Sequence, residues 1–194
     1  MKQKKQLVYI QGGQSFDTHK EFLNYLRSTP FDPFKEKEGK WAETLEEMLG
    51  EDFFVIRMMM PCKQNAKYDE WKIWFERAVP FLKDGVVLVG WSLGANFLAK
   101  YLSENEFLVK VSATHIIAGC FGYAGGFKLP ESLAMFAKQS ERIFIYHSKD
   151  DPLVDFADSE KYKKSLPGAE KIDFENKGHF FRQEFPELFE RLKI

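Results

Sequence analysis

A chain of 194 residues with 44% hydrophobic content is the size of one ordinary domain and can bury a core on both faces of a sheet. Its 28 basic and 29 acidic residues give a formal net charge of -1, which excludes the strongly basic balance of a nucleic-acid binder. No run approaches the ~20 apolar residues needed to span a bilayer, and Leu7–Ile10 is too short for a signal peptide, so a soluble, cytoplasmic protein with no membrane partner is expected.

In chain order, Leu7–Gln11 reads as the first buried strand and leads into the loop Gln11-Gly12-Gly13-Gln14-Ser15-Phe16. A helix is expected over Asp17–Arg27. The irregular stretch Ser28–Lys40 follows, placed provisionally beside the site, and its charge run Lys35–Lys40 reads as a solvated loop. Next come a helix over Trp41–Leu49, a strand over Phe53–Met58, and a helix over Tyr68–Leu82 with Pro80 near its end. The strand Val86–Val89 precedes a helix over Ala95–Leu102, and Thr114–Ala118 reads as the fourth strand. The Gly-rich turn Gly122–Pro130 is long enough to fold over a pocket edge and too short for a cap domain. A helix over Glu131–Lys138, a strand over Arg142–His147, a helix over Asp155–Ser165, the strand Lys171–Phe174 and a helix over Pro186–Leu192 complete the series. Most of these strands are rich in β-branched and aromatic residues, several as continuous apolar runs, which suggests strands buried on both faces of a parallel sheet. Lys171–Phe174 alternates instead, as an edge strand does. Strand and helix in repeated alternation give a three-layer α/β/α architecture with right-handed crossovers. Neither an internal repeat nor a composition shift divides the chain, so residues 1–194 are read as a single domain.

Two cysteines, Cys62 and Cys120, form no disulfide framework and no C-x-x-C motif. The four histidines, His19, His115, His147 and His179, show no metal-ligand spacing, so neither a metal nor a cofactor is expected. The 20 phenylalanines read mainly as core, with some rings left to line an apolar acyl pocket.

The strongest local signal is Gly90-Trp91-Ser92-Leu93-Gly94, set between a buried strand and a helix. This G-x-S-x-G is the nucleophile-elbow pattern. The serine must stand on a sharp turn so that its hydroxyl points outward, and the glycines let strand and helix pass closely. The bare pattern arises by chance in roughly one chain in twenty of this length, so the flanking strand and helix, and the partners below, carry the argument. A serine hydroxyl needs an imidazole to take its proton and a carboxylate to orient that imidazole, in the chain order Ser, acid, His. Asp150 and Asp151 follow the strand Arg142–His147 directly, where such sheets bind ligands; either is a candidate, with the other left to cap the next turn. His179 lies in the loop after the last strand. His115 sits inside a strand, His147 ends one before the acid, and His19 precedes the serine. For the oxyanion, one donor is expected at the backbone N–H of Leu93 and the second at Gly13, with Gln14 next in line. Gln14, Phe16, Trp91, Phe121 and Phe180 neighbour the site in sequence and are candidates for its pocket.

On the loop at Gly12–Gly13, the segment from Met60-Pro61 through Trp71, Gly90–Gly94, Asp150-Asp151-Pro152 and Gly178-His179, the chain resembles the small α/β-hydrolases related to retinoblastoma-binding protein nine and its bacterial relatives. The resemblance covers nearly the whole chain. It implies a minimal α/β-hydrolase fold without a large lid: a mostly parallel six-stranded sheet in the order 2-1-3-4-5-6. It also implies a Ser-Asp-His triad, which falls on Ser92, Asp151 and His179, with Asp151 chosen because an apolar position, Val154, stands three residues on. The first loop departs from the His-Gly of many such enzymes, carrying Gln11-Gly12. The expected activity is a serine hydrolase, carboxylesterase-like, cleaving small esters (thioesters and amides remain open) as a monomer or weak homodimer. A non-catalytic protein-interaction module on the same scaffold is the alternative, and a nucleotide-binding enzyme on a similar sheet a more distant one. Hydrolysis through His179 implies activity that rises with pH as the imidazole sheds its proton.

Overall fold

The structure is a computed structural model and describes residues 4–34, 41–181 and 184–193. The charge run at 35–40 lies outside the described residues. Six strands form one sheet: β1 (Lys5–Ile10), β2 (Phe53–Met58), β3 (Val86–Trp91), β4 (Val111–Ile117), β5 (Ile143–Ser148) and β6 (Glu170–Phe174). Their order is β2-β1-β3-β4-β5-β6, and every pairing is parallel. The helices are α1 (His19–Ser28), α2 (Leu45–Leu49), α3 (Tyr68–Glu76), α4 (Leu93–Glu104), α5 (Ala134–Gln139), α6 (Phe156–Ser165) and α7 (Pro186–Leu192). None is long and apolar enough to cross a membrane among the described residues.

The central strands separate two cores because successive side chains point to opposite faces. On β1, Val8 and Ile10 join the core beneath α3 and α4, where Trp71, Phe75, Phe97 and Phe127 pack edge to face. Leu7 and Tyr9 turn to the other core, with Trp41, Leu45, Phe185 and Leu188 from α2, α7 and the turns before them. Strand β3 is buried along its whole length, as its unbroken apolar run requires. The edge strand β6 has no fully buried position; Glu170 and Asp173 are exposed and the other three residues half-buried.

Several element limits differ from the sequence reading; β4 begins at Val111 rather than Thr114 and ends at Ile117, and α4 runs from Leu93 to Glu104. The helix expected over Tyr68–Leu82 ends at Glu76 and gives way to a 3-10 turn at Val79–Phe81, because Pro80 has no N–H to continue the ladder. The segment Trp41–Leu49 begins as a 3-10 turn, Trp41–Thr44, before α2. Helix α5 starts at Ala134, three residues later than Glu131, with Leu133 as its N-cap.

Two glycines let α4 lie against the sheet. A Cβ on Gly90 would stand 2.6 Å from the Ala95 Cα, and one on Gly94 would overlap the Ile10 carbonyl and stand 2.6 Å from the Gln11 carbonyl. Both obstacles are backbone and cannot rotate away. Gly94→Ala is therefore expected to lower the free energy of unfolding by about 3 kcal/mol or more, read from urea denaturation.

Candidate active site

The site is built at the C-terminal ends of β3, β5 and β6. Ser92 follows β3 and serves as N-cap of α4, with φ 56° and ψ -120°. This is a sparsely populated conformation for a residue with a side chain, of the kind that costs about 1–3 kcal/mol and persists only when neighbours enforce it. Enforcement comes from both sides: the Ser92 N–H donates to the Ile117 carbonyl at 2.8 Å, and the Ser92 carbonyl accepts from Ala95 and Asn96 in the first turn of α4. Leu93 is the first residue of α4, so its N–H belongs to the helix's donors without an intrahelical partner. The Gly12–Gly13 loop runs close by, and a Cβ on Gly12 would stand 3.0 Å from the Ser92 Cβ.

The two aspartates after β5 have separate partners. Asp151, its side chain fully buried, accepts from His179 Nδ1 at 2.8 Å on Oδ2 and 3.0 Å on Oδ1. Its Oδ1 also takes the N–H groups of Leu153 and Val154, at 2.9 and 3.1 Å. Asp150 instead accepts from the Ser148 hydroxyl at 2.5 Å and the Gly178 N–H at 2.8 Å, bracing the loop that carries His179. That loop is held further by two indoles: Trp91 Nε1 donates to the His179 carbonyl at 3.0 Å, and Trp41 Nε1 to the Phe180 carbonyl at 3.1 Å. His147 Nε2 donates to the Val154 carbonyl at 3.0 Å and stands 3.7 Å from Asp151 Oδ2, closing the acid-bearing turn from behind. Ser92 and His179 line the same cleft. Among the described residues no hydrogen bond joins the serine hydroxyl to the imidazole, as is common before substrate tightens a site.

Burial pushes the Asp151 carboxyl up, but the hydrogen bond from His179, the two backbone N–H groups and the charge of His179 outweigh it and hold the group below its usual range. His115, fully buried in β4, is pushed down to about 3, by burial first and then by Arg142 and Arg191, and its Nδ1 meets the Tyr146 hydroxyl at 2.9 Å. Burial pushes the Cys120 thiol up to about 12, so it is an inert neighbour of the site rather than a nucleophile.

The cleft has a large lobe of about 440 Å³ and a small one of about 150 Å³. Gln14 borders both and Trp91 lines the large one. The Gln14 N–H is already given to the Lys63 carbonyl at 2.8 Å, which leaves Gly13 as the remaining candidate of the two loop residues. Three aromatic candidates prove to lie elsewhere. Phe16 packs on Phe22 and Tyr25, and Phe121 packs edge-on against Tyr162. Phe180 turns into the core against Phe174 and Phe185. Its neighbour Phe181 takes the cleft position, joined by Arg57, Met59, Lys63 and Leu153, which sequence order alone did not bring near Ser92. Met59, Leu153 and Phe181 are large apolar side chains left exposed on the segments that follow β2, β5 and β6. The Gly122 turn does meet the pocket edge: Gly122 and Tyr123 line the small lobe, and the Tyr123 hydroxyl donates to Gln14 Oε1 at 3.1 Å.

Parallel strands that bring a strained serine, a buried carboxylate and a histidine to one end of a sheet define the α/β-hydrolase class. Residues 34–190 match the profile of the Serine hydrolase family, and the chain belongs to that family. Solved structures share its fold. The ydeN gene product from B. subtilis is 17% identical, with 98% of this chain and 97% of that one covered and a TM-score of 0.76. A putative yden-like hydrolase from Pectobacterium atrosepticum is 16% identical, over 97% and 89% of the two chains, with a TM-score of 0.68. Est1E from Butyrivibrio proteoclasticus is 12% identical, over 100% and 87%, with a TM-score of 0.63. A comparison with curated proteins finds no match.

The lowered Asp151 sets a pH dependence of stability. A depressed carboxyl contributes stability that is present above its unfolded value, near ~3.9, and is lost as pH falls through the lower folded value. Asp151→Asn is expected to cost about 1–3 kcal/mol at pH 5, and the gap to wild type is expected to shrink on acidification below about pH 4, measured by urea unfolding across that range.

Proposed function

We propose that the chain is a carboxylesterase-like serine hydrolase acting through Ser92, Asp151 and His179. The observation that carries this reading is the buried Asp151 carboxylate with both oxygens against His179 Nδ1, beside a serine fixed at positive φ. A solvated loop histidine has no need of such a partner, and a serine at positive φ between strand and helix supports its reading as a nucleophile elbow. The contact assigns the Nδ1 proton to the Asp151 side, which leaves Nε2 to act as base.

In the reaction, Ser92 Oγ attacks the ester carbonyl carbon while His179 Nε2 takes the hydroxyl proton. Asp151 holds the ring and stabilises the imidazolium that forms. The carbonyl oxygen, now negative, is bound by the Leu93 and Gly13 N–H groups, and the start of α4 favours that charge. His179 returns the proton to the leaving alcohol, and the acyl group remains on Ser92. Water then repeats the sequence: His179 takes its proton, hydroxide adds to the acyl carbon, and Ser92 leaves with the proton restored.

A fluorophosphonate probe is expected to label the wild type and to leave folded Ser92→Ala and His179→Ala unlabelled. With a short-chain nitrophenyl ester, each variant is expected to lose at least about 10⁴-fold in kcat. A folded wild type that neither labels nor hydrolyses would refute the reading.

A further inference from the structure

The two lobes of the cleft meet at Ser92, which borders both together with Gly13, Gln14 and Leu153. His179 lines the large lobe, whereas Leu93 lines the small one. The base that accepts the serine proton must hand it to the leaving oxygen, so the leaving group lies on the imidazole side. The acyl chain is then directed to the opposite side.

The lobes differ in size and in chemistry. At about 440 Å³ the large lobe falls within the ~300–1,000 Å³ range of sites that hold a whole small molecule, and at about 150 Å³ the small lobe falls below it. The wall of the small lobe is also braced. Asp158 accepts from the Phe121 N–H at 3.0 Å and pairs with Lys161 at 2.7 Å, and the Cys120 carbonyl accepts from Asn96 and from the Tyr162 hydroxyl. Val154 and Tyr123 complete its lining. The large lobe carries Gln11, Gln64 and Lys63, with Arg57 held by Glu46, beside the rings of Trp91 and Phe181. Amides and cations there match hydroxyl groups, and the ring faces match the C–H faces of a saturated ring.

We infer that the enzyme cleaves short acyl groups from polyhydroxylated alcohols, with the acyl chain in the small lobe and the alcohol in the large one. This rests on the serine-hydrolase reading above. The test measures kcat/KM on nitrophenyl acetate, butyrate and octanoate, and on a monoacetylated xylose beside octyl acetate, after fluorophosphonate labelling of the same preparation. The expected result is a fall of at least about tenfold from butyrate to octanoate and a preference for the sugar acetate. Val154→Ala, checked for folding by thermal melting, is expected to raise the octanoate-to-butyrate ratio several-fold by opening the small lobe. Octanoate cleaved as well as butyrate, octyl acetate preferred over the sugar, or labelling without turnover of any of these esters would overturn the assignment. Absence of labelling would instead remove the hydrolase reading on which it stands.

Discussion

Ser92 is held at φ 56° because β3 and α4 cannot be joined in any other way at the distance they keep. Gly90 and Gly94 let the helix approach until its first turn touches the backbone of Ile10 and Gln11 and its Ala95 lies against Gly90. At that spacing the chain must reverse within one residue, and the residue at the corner has its side chain thrust clear of both elements. The same closeness puts the start of α4 behind the serine, so one packing constraint sets both the corner on which the hydroxyl stands and the open N–H groups of the helix start beside it. The rest of the sheet serves to keep the corner from relaxing, through the Ser92–Ile117 bond on one side and the burial of α4 on the other.

The adjacent aspartates show how a loop divides labour. Asp151 is buried against an imidazole and two backbone donors, and Asp150 reaches across to Gly178 and fixes the loop on which that imidazole rides. Each carboxylate therefore has its charge met by donors, and the two avoid sharing a single cavity where one of them would have to take up a proton. Trp91 joins the halves of the site: it neighbours the serine in sequence and hydrogen-bonds the histidine loop through its indole.

Much of the fold was legible because burial on both faces writes continuous apolar runs into a sequence. The run Val86–Val89 and the stretch Thr114–Ala118 gave their strands away, while the edge character of β6 showed in its alternation. The limits that shifted were those decided by single atoms, such as the missing N–H of Pro80. For the site, the position of candidate residues just past strand ends was readable, since loops at that end of a parallel sheet converge. Which aspartate faces His179 depends on backbone donors two and three residues on, and composition does not record those. Phe180 and Phe181 are the same residue type in consecutive places, yet one fills the core and the other the cleft. Gln14 had its N–H claimed by Lys63, a partner far away in sequence.

The bond between Trp91 and His179 spans 88 residues, and His179 comes after β6, which follows the other five strands of the sheet in the chain. Non-local pairing of this kind forms late, because loop closure must be met before the contacts reward it. A nascent chain that has made β1 through β5 still lacks the imidazole that pairs with Asp151. That pairing is thereby made contingent on the edge strand β6 and the loop after it. A chain clipped before residue 179 leaves the Asp151 carboxylate without its imidazole.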